Sequence, residues 1–136
     1  MNALQIACKT ARFNLSKVGE HFINPCCFGE DFADWLRIKL TERNVQVRLP
    51  YQEDWGWELP AIVGSDSYYL GMSGNADGSK EIEDEGEWNI IIEKKCSIRQ
   101  RLSGKGKIAA NDKIVLILEE ILCAEPTIRD VQRVDK

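Results

Sequence analysis

Three groups of side chains in this sequence are of types that catalysis or binding uses, and a fourth is a block of charge. His21, the only histidine, stands shortly before the adjacent thiols Cys26 and Cys27. A cysteine at a helix start has its thiolate stabilised, and an imidazole within reach could act as its base. Glu30 and Asp31 work against this, because carboxylates in the same first turn raise a thiol pKa. The alternative is that one cysteine packs at the helix start while His21 caps or pairs locally. The same residues suit a metal poorly, since adjacent cysteines lack the Cys-x-x-Cys spacing that lets two thiolates reach one ion. No metal ligand set and no cofactor are expected.

The run Glu53-Asp54-Trp55-Gly56-Trp57-Glu58 sets acids beside tryptophans. Such sets can mark carbohydrate sites, where aromatic faces stack on sugars and two carboxylates do acid/base work. Strand periodicity points elsewhere, because Trp55 and Trp57 would share a face with Leu59, Ala61 and Val63. Both indoles then face the core. Asp54 and Glu58 lie opposite and flank a groove left open by Gly56.

The segment from Ser73 to Glu81 half resembles a calcium loop, with Asn75, Asp77 and Gly78 at the third, fifth and sixth positions. The first and twelfth positions would be Ser73 and Asp84, where an acid and a glutamate belong. A long polar hairpin connection from Ser73 to Glu87 accounts for it better. The block of charge follows. Glu81, Glu83, Asp84, Glu85, Glu87 and Glu93 occur with no intervening base, and then Lys94, Lys95, Arg99, Arg101, Lys105 and Lys107 with no acid. Ser103-Gly104-Lys105-Gly106-Lys107 could offer amides and ammonium groups to an anion, with Arg99 and Arg101 beside it, but the P-loop spacing is absent. No aromatic interleaves these bases, so a stacking platform for single strands is unsupported.

The elements that must position these groups follow from periodicity. Residues 3–16 alternate in two registers: Leu4, Ile6 and Cys8, then Ala11, Phe13 and Leu15, reconciled by a bulge or bend at Lys9-Thr10. Helical spacing of Leu4, Ala7, Cys8, Ala11 and Leu15 competes, though Thr10, Phe13 and Asn14 are poor helix formers. Phe32, Trp35, Leu36, Lys39 and Leu40 form one stripe and predict a helix over 30–43, with acids in its first turn and Asn44 as a left-handed stop. Val45, Val47 and Leu49 predict a strand closed by Pro50. Strands follow over 55–63, over Tyr68 to Met72 after the turn Gly64 to Ser67, and over Trp88 to Ile92, with Ile91 on the other face. Asn111 is expected to cap a second helix ending near Cys123, with Ile114, Ile117, Leu118, Ile121 and Leu122 inward. Ile128, Val131 and Val134 are irregularly spaced, and a short edge strand is expected there. This order predicts a single α+β domain over 1–136: a mainly antiparallel sheet of about four to six strands with two helices on one face.

Composition narrows the function classes. A chain of 136 residues can bury enough surface to fold without a metal or disulfide. The net charge of −4 argues against wholesale binding to nucleic acid or anionic membrane. No apolar run approaches the length of a membrane helix, and the first residues lack the pattern of a signal peptide. The five cysteines fit no disulfide framework, so free thiols in the cytoplasm are the expectation. With no convergent catalytic set, the leading expectation is a protein-binding or accessory protein, for example an acidic inhibitor or immunity-type protein. Its contact surface would be Glu81, Glu83, Asp84, Glu85 and Glu87. The alternatives are a hydrolase using Cys26 or Cys27 with His21, or Asp54 with Glu58, and a phosphate or small-molecule binder using 99–107.

Overall fold

The computed structural model describes residues 3–13, 29–76, 86–95 and 108–134. Their elements are β1 (Ala3–Thr10), α1 (Glu30–Glu42), β2 (Gln46–Val47), β3 (Tyr51–Glu53), β4 (Gly56–Val63), β5 (Asp66–Ala76), β6 (Gly86–Lys95), α2 (Lys113–Ala124) and β7 (Ile128–Val134). The strands form one open antiparallel sheet in the order β2-β4-β5-β6-β1-β7, with β3 also paired to β4. Both helices pack on the same face, so the α+β layout holds. No helix among the described residues is long and apolar enough to cross a membrane.

The sheet has seven strands because its β2–β3 edge is divided. Gln46 and Val47 pair with Ile62 and Ala61, whereas Tyr51 pairs with Glu58, a slip of one residue across Arg48-Leu49-Pro50. Proline has no N–H to give the ladder, and the interruption turns the chain. Leu49, expected to alternate inward with Val45 and Val47, is instead 73% exposed.

The strand reading of the first segment holds over Ala3–Thr10. The register change expected at Lys9-Thr10 comes from a bend over residues 11–13, and a separate bulge lies on the neighbouring strand β7. β1 pairs without a break against β6, but its register with β7 shifts between Ala7 and Lys9. Asp130, opposite that shift, has a positive φ of 54°. This extra residue explains the irregular spacing of Ile128 and Val131, both packed against the core. β1 ends at Thr10, whose buried hydroxyl donates to the Thr127 carbonyl at 2.8 Å. The chain then bends and carries Phe13 into the core, stacked on Phe32 at 4.5 Å and edge-on to Trp88 at 5.7 Å.

The helix-bearing face is closed by apolar side chains from every layer. Phe32, Leu36 and Leu40 of α1, and Ile114, Leu118 and Leu122 of α2, meet Ile6, Leu59, Leu70, Trp88, Ile90 and Ile92 of the sheet. Asn44 adopts the left-handed stop expected after α1, with φ 63°. The start of α2 differs from expectation. Asp112, not Asn111, precedes its first turn, and its carboxylate makes no cap bond. That carboxylate instead accepts a hydrogen bond from the Tyr68 hydroxyl at 3.2 Å and lies 3.7 Å from Lys94 Nζ. Lys94 also stands 3.9 Å from Asp66, so the first lysine of the basic run is held inside the fold. Arg133 of β7 clamps α2 near its middle, with two hydrogen bonds to Glu119 at 2.6 and 2.8 Å.

Candidate functional site

The opposite face of the sheet gathers acidic and aromatic side chains. Sheet alternation places Glu58 and Pro60 of β4, Tyr69 and Gly71 of β5, and Ile91 and Glu93 of β6 away from the helices. Glu58 faces Gly71 across the β4–β5 ladder, and Gly71 faces Ile91 across the next. Tyr69 faces Glu93 one row along. The β3–β4 hairpin adds Tyr51 and Glu53 to the same face.

Trp55 departs from the sequence expectation. Glu53 pairs with Gly56, so Asp54 and Trp55 are the two residues of a hairpin turn and escape the alternation. Trp57 is buried as expected, but Trp55 folds back over the open face and stays 49% exposed. Its ring lies on Gly71: a Cβ added there would stand 2.6 Å from the indole. The expected partner of Glu58 changes with it. Asp54 sits in the turn, and Glu53 takes its place beside Glu58.

Glu53, Trp55, Glu58, Tyr69 and Glu93 thus surround a groove of about 430 Å³ floored by Gly71 and Ile91. Tyr51 donates a hydrogen bond of 2.8 Å to Glu58 Oε2. Partial burial holds the Glu58 carboxyl above its ordinary pKa, helped by the charges of Glu53 and Glu93 and opposed by the Tyr51 bond. Partial desolvation and the same bond push the Tyr51 phenol up to about 12. Among the described residues no lysine or arginine forms an ion pair with Glu53, Glu58 or Glu93. Beside the groove lies a second hollow of about 610 Å³, bordered by Leu49, Tyr51, Pro60, Ile62 and Lys95.

Several sequence candidates lie elsewhere. Of the acidic set, Glu87 is an exposed residue of β6, on the open face opposite Lys9. Glu81, Glu83, Asp84 and Glu85 lie outside the described residues, as do His21, Cys26 and Cys27 and the basic set Arg99, Arg101, Lys105 and Lys107. Ser73 to Ala76, the start of the calcium-like pattern and of the expected polar connection, are the end of β5. Burial pushes the Cys8 thiol up to about 12, so it is a core residue and not a nucleophile. The described residues contain no group of three or more His, Cys, Asp or Glu that could hold a metal ion. The signal that could have found the groove was Gly71 together with Glu93. A strand glycine marks a close approach, and here the neighbour is an aromatic ring.

Set against known proteins, the chain matches no family model, no curated protein and no solved structure.

Proposed function

We propose that this chain is a protein-binding accessory protein whose partner presents a basic contact face. The observation that carries this reading is the open face at β3–β6, where Glu53, Glu58 and Glu93 have no cationic partner among the described residues and stand beside the exposed rings of Trp55 and Tyr51. Aromatic residues with an apolar margin make good anchors for a partner, and unneutralised charge steers a partner of opposite sign. Leu49 and the hollow behind it extend the apolar margin. Glu87 continues the acidic surface along β6, and the run from Glu81 to Glu85 leads into it in sequence. An inhibitor or immunity-type protein acting on a basic target fits this chemistry.

The test begins with capture of partners by the wild-type chain and by a Glu53→Gln/Glu93→Gln variant, keeping the protein whose retention depends on those charges. Association rates are then followed against salt. The expected result is slower association for the variant, and slower association of the wild type as salt rises, while stability changes by less than about 0.5 kcal/mol per surface site. A Glu83→Gln/Asp84→Asn/Glu85→Gln variant measures how much of the steering the adjoining acidic run supplies. If both variants associate at the wild-type rate and salt has no effect, the reading fails.

A further inference from the structure

We infer that the groove between Trp55 and Tyr69 receives a guanidinium group, the side chain of an arginine presented by the partner. This rests on the protein-binding reading above and names the chemistry of its central contact.

The spacing of the acids comes first. Glu58 is on β4 and Glu93 on β6, so β5 runs between them. Adjacent strands are about 4.8 Å apart, and Glu93 lies two residues along from the Glu58 row, so the two positions are diagonal neighbours across β5. Among the described residues no three acids are grouped so as to hold a metal ion, so the carboxylates around the groove do not form a metal cage. They do leave room for a flat cation with N–H groups on both edges, which is what guanidinium offers. Gly71, beside Glu58 on the middle strand, has no side chain of its own, so the Trp55 indole lies low against the sheet and a cation would stack on its outer surface.

The walls come second. Trp55 and Tyr69 offer ring surfaces at the same groove, and a planar, weakly hydrated cation gains from stacking on such surfaces. Lysine would meet the charge but neither the plane nor the fork. A neutral sugar would meet the ring but leave three carboxylates without a counter-charge. Charge balance comes third, since no described lysine or arginine neutralises Glu53, Glu58 or Glu93. Among the described residues the groove therefore carries acidic charge without a counter-charge beside an aromatic platform.

The experiment uses the full chain and three small probes: the acetyl methylamides of arginine, of lysine and of citrulline, the last being a neutral near-isostere of arginine. The readout is the Trp55 indole N–H resonance, assigned by its loss in Trp55→Phe. The arginine probe is expected to shift it saturably in the millimolar range. The lysine probe should bind about ten-fold more weakly, and the citrulline probe should give no saturable shift. Glu93→Gln, at an exposed position, should weaken the arginine probe while leaving the dispersion of the spectrum unchanged. Glu58→Gln should do the same. No saturable shift with arginine overturns the inference, as does equal binding of citrulline or a saturable shift with cellotetraose instead. The two readings fail separately. Salt-dependent partner association without arginine binding removes the guanidinium site alone. Arginine binding with a partner indifferent to salt and to both charge variants removes the partner reading alone.

Discussion

Gly71 and Gly74 lie on opposite faces of β5, and each has an indole laid against it. A Cβ on Gly74 would meet ring carbons of Trp88 at 2.5 Å, and one on Gly71 would meet the ring of Trp55 at 2.6 Å. The local geometry is nearly the same, yet the surroundings differ entirely. Trp88 has no exposed surface and is hemmed in by Phe13 and Phe32, whereas Trp55 is held on one side only. Close packing around Trp88 removes any cheap response to added volume, while Trp55 can swing into water. The helix-covered face has spent its glycine on stability. The open face has used the same device to shape a surface, so changes on the two faces should separate stability from binding.

The largest effect should come from the helix-covered face. Leu118→Ala removes a fully buried side chain of α2 and is expected to cost about 2–5 kcal/mol in denaturant unfolding. A loss under about half a kcal/mol would mean that α2 does not close the core. Gly74→Ala comes next, at about 1–3 kcal/mol, because the added methyl must push a buried indole. Gly71→Ala sharpens the contrast. Its stability should stay within about 1 kcal/mol of wild type, while the Trp55 indole resonance moves and the arginine probe loses affinity. If Gly71→Ala proves as destabilising as Gly74→Ala, the two faces are not separate in the way described.

The smallest effects are in pH dependence, and their signs oppose one another. Glu58, facing Tyr51, Glu53, Tyr69 and Glu93, has a raised pKa in the folded chain. The folded state then takes up its proton first, so this residue adds stability as pH falls from neutral towards 4.5, and the gain levels off below that value. Glu119 has a lowered pKa, chiefly through its hydrogen bonds to Arg133. Its contribution is present above pH 4.5 and is lost as pH falls through the lowered folded value. Unfolding midpoints followed from pH 7 through pH 4.5 to about pH 2.5 should therefore show Glu58→Gln losing a gain above pH 4.5 and Glu119→Gln losing a decline below it. Both changes are modest, because both carboxylates are partly in water. Responses of the same sign would contradict the charge assignment of the two faces.

Periodicity alone determined most of the layering. Alternation in β4, β5 and β6 and the stripes of α1 and α2 are one-dimensional patterns, and burial reads them out directly: Trp57, Leu59, Leu70, Ile90, Leu36 and Leu118 are all core. Local turn chemistry was equally legible at Asn44, whose left-handed φ needs only its own backbone. What the sequence could not hold was register at the points where a strand is interrupted. Pro50 shifted the pairing of β3 and turned Leu49 outward, and a two-residue turn took Trp55 out of the alternation. A single-residue slip reverses which face a side chain occupies, and slips are decided by pairing partners far away in the chain. The groove followed from that same cause. Glu53, Glu58 and Glu93 were visible as acids, but only the ladders from β3 to β6 set them around a glycine with an indole above it.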